Sequence, residues 1–200
     1  MIKAEQLTVK FEKTVLCDLN FAITQNGVYC MTGPSGIGKS TLLNAIAGLV
    51  PYSGTIRTEG KISYLFQEDR LLPWMNALEN VRLVLKEHFE RAEYYIGKFG
   101  LTEAADKMPE ELSGGMRRRC ALARCFAYDG NILLLDEPFR GLDNENADIV
   151  REEIKALAKE RIVLLVTHDP DDIGKLEASN LKLFPSEISF SAGGLGDHIF

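Results

Sequence analysis

The stretch Gly33-Pro34-Ser35-Gly36-Ile37-Gly38-Lys39-Ser40-Thr41 sets a glycine-rich loop between an apolar strand and a helix. Val28-Tyr29-Cys30-Met31-Thr32 reads as a buried strand before it. After it, Leu42, Leu43, Ala45, Ile46 and Leu49 keep helical spacing from about Gly38 until Gly48 and Pro51 end the pattern. Glycines at these positions let consecutive backbone N–H groups turn inward onto an anion with no Cβ in the way. In such a cradle Lys39 reaches the outer phosphates of a nucleotide, Ser40 is placed to ligate Mg²⁺, and the helix adds its positive end.

Working outward, the 200 residues are 46% hydrophobic, enough for one domain that carries a smaller subdomain. A formal net charge of −6 argues against a general nucleic-acid surface, and Arg117-Arg118-Arg119 is too short a basic run to reverse it. No apolar run is long enough to span a bilayer, and Met1-Ile2-Lys3-Ala4-Glu5 has no signal-peptide core, so the expected location is cytoplasmic. Cys17, Cys30, Cys120 and Cys125 form no C-x-x-C pair, and zinc or a disulfide is not expected.

Upstream of the loop, Leu7, Val9 and Phe11, then Val15, Cys17, Leu19, Phe21 and Ile23, alternate as two antiparallel strands with one buried face. Phe11, at a strand end, offers an aromatic ring to a nucleotide base or simply packs. Downstream, Thr58-Glu59-Gly60 between two short strand patterns predicts a hairpin leading into a central strand that ends at Gln67. An amide at that point suits Mg²⁺ or an attacking water. From Pro73 the spacing turns helical: Asn76 and Glu79 form a capping pair before Leu78, Val81 and Leu85, and helices are expected over 89–99, 102–107 and 117–127.

Asn131-Ile132-Leu133-Leu134-Leu135-Asp136-Glu137-Pro138 is an apolar strand that ends in two acids, as a buried parallel strand presents carboxylates at its C-terminal edge. Asp136 suits Mg²⁺, and Glu137 suits general-base activation of water. A helix is expected over 144–159, then a strand over 161–167 that ends at His168, within reach of a γ-phosphate or its water. Leu181-Lys182-Leu183-Phe184 reads as a last strand before a Gly- and Ser-rich tail, 185–200.

With Leu112-Ser113-Gly114-Gly115 lying between the loop and the Asp136-Glu137 strand, the chain resembles the ABC ATPases, whose motif order it follows over about residues 2–184. The run from Phe66 to Trp74 and Asp136-Glu137-Pro138-Phe139 look most like the ATP-binding subunits of nitrate, sulfonate and taurine importers. That resemblance implies an α/β fold: a P-loop NTPase core (1–72 and 128–184) with an antiparallel β layer and an inserted α-helical subdomain (73–127). It also implies that Phe11 stacks on adenine, that Gly33, Pro34, Ser35, Gly36, Ile37, Gly38, Lys39, Ser40 and Thr41 bind ATP, and that Ser40, Gln67 and Asp136 serve Mg²⁺. Glu137, His168 and Gln67 would be catalytic.

In this family two copies sandwich two ATP molecules, so Ser113, Gly114 and Gly115 would meet ATP held by the other copy and Asp143 would lie at that interface. The expected partners are a transmembrane permease subunit and a second copy of the chain, with no nucleic acid. The coupling surface is expected near 67–85, with Leu71, Leu72 and Trp74 as candidates and Trp74 the one expected to pack inward. Three positions depart from the pattern: Arg118 replaces a common Gln, Arg140 a small residue, and Phe11 a Tyr or Trp, all expected to lie away from the chemistry. Two other readings stay open, an ABC-type ATPase of DNA repair or translation and a nucleotide-dependent scaffold without hydrolysis. The lack of a long coiled-coil insertion or zinc modules argues against the first, and Glu137 with His168 against the second.

Overall fold

Alternating apolar residues at the N-terminus build β1 (Ile2–Lys10) and β2 (Thr14–Ile23), paired antiparallel with Ile2 opposite Ile23 and Leu7 opposite Leu19. The structure is a computed structural model and describes residues 1–184 and 187–191. Strand β4 (Ser53–Thr58) joins the other edge of β1, giving a three-stranded sheet in the order β2-β1-β4. A second sheet is made by β3 (Gly27–Thr32), β5 (Ile62–Leu65), β6 (Ile132–Asp136), β7 (Ile162–Val166), β8 (Ser179–Phe184) and β9 (Glu187–Ser191). Its order is β5-β6-β7-β3-β8-β9, parallel throughout except for β9.

The two-residue period of the central strands sorts their side chains into two cores. Leu133 and Leu135 of β6, Val163 and Leu165 of β7, and Val28 and Cys30 of β3 face one. There they pack against α2 (Ala77–Arg82), α3 (Glu90–Lys98), α4 (Gly114–Ala127) and α5 (Asn144–Ala158). Ile132, Leu134, Ile162, Leu164 and Met31 face the other, against α1 (Lys39–Ile46) and the β1–β2 layer. Strands buried on both faces need apolar residues at every position, which is why β6 and β7 read as unbroken hydrophobic runs. Each fully buried Leu or Ile contributes about 1.5–3 kcal/mol. Phe99 and Phe126, with ring centroids 5.9 Å apart, join α3 to α4 at the far end of the first core.

Burial pushes the thiols of Cys30, Cys120 and Cys125 up to about 12, so none offers a reactive thiolate. The fourth, Cys17, is exposed.

The expected hairpin at Thr58-Glu59-Gly60 does not form, because β4 and β5 lie in different sheets. Gly60, at φ 103, turns the chain against Asn131, where an added Cβ would stand 2.6 Å from Oδ1. Asn131 Oδ1 accepts from Lys61 N, and Ile132 N donates to Lys61 O, so the chain enters the parallel sheet beside β6. Strand β5 is therefore an edge strand and not a central one.

Helix α4 starts at Gly114, three residues ahead of the expected start, because the glycines supply its first turn. Only Thr102–Ala104 of the 102–107 segment is helical, and α2 stops at Arg82, so Leu85 packs on the core from beyond its end. Trp74 is 69% exposed and does not pack the helices onto the sheet. Residues 187–191 of the expected tail form β9 against β8, and 185–186 and 192–200 lie outside the described residues.

Candidate active site

The glycine-rich loop leaves the C-terminal end of β3 and enters α1 at Gly38, whose φ of 109 is open to glycine and strained for other residues. A Cβ there would stand 2.8 Å from Leu16 Cδ2, so the β1–β2 hairpin can seat on the loop only over a glycine. The same hairpin carries Phe11 at its tip, 51% exposed. Gly38 makes no side-chain cap, which leaves the first N–H groups of α1 free for a ligand. Lys39 is 6% exposed, and its ammonium donates to Gly33 O at 2.8 Å and Pro34 O at 2.9 Å. Burial pulls the Lys39 pKa down while the Glu137 and Asp136 carboxylates oppose it.

Opposite the loop stand the ends of three parallel strands. Gln67 follows β5, Asp136 and Glu137 close β6, and His168 follows β7, as the C-terminal edge of such a sheet dictates. One cleft of about 230 Å³ holds Ser35, Gly36 and Gly38 to Thr41 on one wall and Gln67, Glu137, Val166 and His168 on the other. Glu137 Oε1 accepts from Gln67 Nε2 at 3.3 Å and faces His168 Nε2 at 3.2 Å. Glu137 itself sits at φ 50, a strained value for a side-chain-bearing residue, with its N–H on Val166 O at 3.0 Å.

Asp136 is buried beside Ser40, and its Oδ1 has no hydrogen-bond partner among the described residues. Burial raises its pKa, Ser40 and Arg118 oppose that, and Glu137 adds to it. A buried carboxylate oxygen without a donor, next to a hydroxyl and a phosphate cradle, fits a small cation that takes its other ligands from phosphate and water. Among the described residues no group of three or more His, Cys, Asp or Glu is placed to hold a metal ion by itself.

The other expected residues lie elsewhere. Ser113, Gly114 and Gly115 do not line this cleft. Ser113 caps α4, its hydroxyl accepting from Met116 N at 3.2 Å, and both it and Gly114 are exposed. Gly115 abuts the Gly141 carbonyl, where an added Cβ would stand at 3.3 Å. Asp143 caps α5, and hydrogen bonds from the Asn146 backbone and side chain hold its carboxyl below the usual range.

Sequence reasoning missed Arg118, which was expected to lie away from the chemistry. It is 3% exposed and donates to the carbonyls of Phe66, Asp136 and Glu137 at 2.8, 2.7 and 2.7 Å. The signal was present: with Leu122 and Cys125 it stands at i, i+4 and i+7 on the buried face of α4. An arginine on such a stripe must find acceptors inside.

Residues 16–140 match the family model described as ABC transporter. The aliphatic sulfonates import ATP-binding protein SsuB 1 of Rhodococcus jostii is 42% identical over 170 residues, covering 80% of this chain and 69% of the relative. The taurine import ATP-binding protein TauB of Pseudomonas aeruginosa is 36% identical over 194 residues, covering 86% and 74%. Among solved structures, the dimeric post-hydrolysis state of the ATP-binding cassette MJ0796 bound to ADP and Pi superposes with a TM-score of 0.85 at 28% identity, covering 94% of this chain and 96% of that one. The family-model match extends over the loop, the Asp136–Glu137 strand end and the Ser113 helix together. This chain belongs to the ABC transporter family, as an ATP-binding, ATP-hydrolysing cassette of the group that includes the sulfonate and taurine import proteins.

Proposed function

We propose that this cassette powers import of a small solute or anion through a separate transmembrane subunit, working as a pair of copies at the cytoplasmic face of the membrane. The observation that carries the reading is the meeting of Gln67, Glu137 and His168 on one carboxylate oxygen across the cleft from Lys39. Glu137 takes the proton of the attacking water, Gln67 and His168 hold that water and the γ-phosphate in line, and Lys39 leaves its loop carbonyls for the phosphates. Ser40 and Asp136, with Gln67, would hold Mg²⁺, which when bound would neutralise charge on the phosphates. Phe11 stacks on the adenine at the hairpin tip. Ser113, Gly114 and Asp143, which are exposed, and the half-buried Gly115, all outside the cleft, serve ATP bound by the second copy.

No helix among the described residues is long and apolar enough to cross a membrane; that the relatives are named as import ATP-binding proteins supports a transport path on a separate subunit. Its docking surface lies over 67–85, where Trp74 stands in solvent and the helical 73–127 segment adjoins Gln67. The tagged chain, drawn from its native membranes in mild detergent, should bring down a stoichiometric multi-span protein whose presence stimulates phosphate release. Recovery only with ribosomes or nucleic acid would overturn the transport reading.

A further inference from the structure

Three consecutive arginines, Arg117 to Arg119, follow the first three residues of α4, and they do different things. Arg117 and Arg119 each reach a nearby loop carbonyl, Leu112 O at 2.7 Å and Phe99 O at 2.6 Å. Arg118 turns inward. Its Nη2 bridges the carbonyls of Asp136 and Glu137 at 2.7 Å each, while Nη1 reaches Phe66 O at 2.8 Å, Gln67 O at 3.4 Å and the Asp69 carboxylate at 3.2 Å. One planar group thus holds the end of β6, the end of β5 and the loop after Gln67, from the helix whose first residue follows Ser113.

We infer that Arg118 is a positioning residue for hydrolysis, fixing the backbone on which Glu137 and Gln67 stand and tying both to the start of α4. The inference rests on the hydrolytic reading of Glu137. A residue at φ 50 keeps that conformation only where its surroundings hold it, and the Glu137 backbone is held by its N–H to Val166 O and by its C=O, which accepts from Arg118 Nη2 at 2.7 Å and from Arg140 N at 3.2 Å. A guanidinium offers donors along two edges at once, so it serves both strand ends. Glutamine at the same place offers a single NH₂ group, which can serve one of them, and methionine offers none. Displacing a general base by about 1 Å costs on the order of 100-fold in rate, whereas ATP binding through the glycine-rich loop does not pass through Arg118.

Steady-state phosphate release, ATP KM and thermal melting of the full-length protein test this with Arg118→Gln and Arg118→Met. Arg118→Met should lower kcat about 10–100-fold per folded molecule with KM within about three-fold, and Arg118→Gln should recover part of the loss. If Arg118→Met does not fold, Arg118→Gln alone decides: a kcat about 3–10-fold below the parent at unchanged KM supports the inference. Turnover per folded molecule within about two-fold of the parent in the variants that fold, or a fall in kcat matched by a rise in KM, would overturn it. A parent protein that releases no phosphate, or whose rate survives Glu137→Gln, would instead sink the hydrolytic reading.

Discussion

Two helices of this chain begin on glycine-rich segments, α1 at Gly38 and α4 at Ser113, and they differ in what faces their first turn. At α1 the cap makes no side-chain bond, and Gln67, Glu137 and His168 stand across the cleft with Asp136 behind them. At α4 the cap is satisfied internally by Ser113, Ser113 and Gly114 are exposed, and neither they nor Gly115 line the cleft. Each helix has backbone donors that could receive phosphate, and on the proposed reading only α1 faces the residues that cleave it, so a single copy is complete as a binding site and incomplete as a sandwich. The contrast is open to direct attack.

The largest effect belongs to the cleft. Glu137→Gln keeps the shape and the Gln67 contact but removes the base, so phosphate release should fall about 10²–10⁴-fold while ATP-dependent dimers accumulate on a sizing column. Residual turnover near the parent level would remove Glu137 from its role and with it the asymmetry between the two helices.

The next test exploits the division of labour. Lys39→Ala disables the α1 site, and Gly115→Asp places a carboxylate at the start of α4, where the Gly141 carbonyl already leaves little room. Each variant alone should be inactive. Mixed in equal amounts, half of the dimers are mixed and each of those has one intact site of two, so activity should return to about a quarter of the parent value. No recovery on mixing, or a Gly115→Asp protein that hydrolyses ATP as a monomer, would show that α4 does not serve the partner's nucleotide.

Much of the cleft was legible because its residues sit where periodicity changes. The glycine-rich loop lies between a strand pattern and a helix pattern, and Asp136-Glu137 and His168 each end an apolar run, so their places at one sheet edge follow from parallel pairing alone. The hairpin reading failed because Thr58-Glu59-Gly60 has the local chemistry of a turn between paired strands. What redirects it is Asn131, 71 residues after Gly60, and a contact of that range leaves no mark on local pattern. Arg118 failed differently. It reads as a replacement for a common Gln that lies away from the chemistry, and only the i, i+4, i+7 face shared with Leu122 and Cys125 points inward. Trp74 was expected inside on hydrophobicity, which is a one-way guide, since apolar side chains are common on surfaces.

The smallest effect separates the two helix starts by stability alone. Ser113→Ala removes the bond to Met116 N and should cost about 1 kcal/mol, lowering the ligand-free Tm by about 2–4 °C. Gly38 provides no such cap, so on the proposed reading α1 gains its partner when a nucleotide arrives. A non-hydrolysable ATP analogue at about 100-fold its Kd should raise the parent's Tm by about 5–10 °C, corresponding to about 2.7 kcal/mol. The same rise should survive in Ser113→Ala at concentrations too low for dimers and disappear in Lys39→Ala. If Ser113→Ala lost the ligand shift while keeping its ligand-free Tm, α4 would be meeting the nucleotide within one copy, and the two helix starts would belong to a single site.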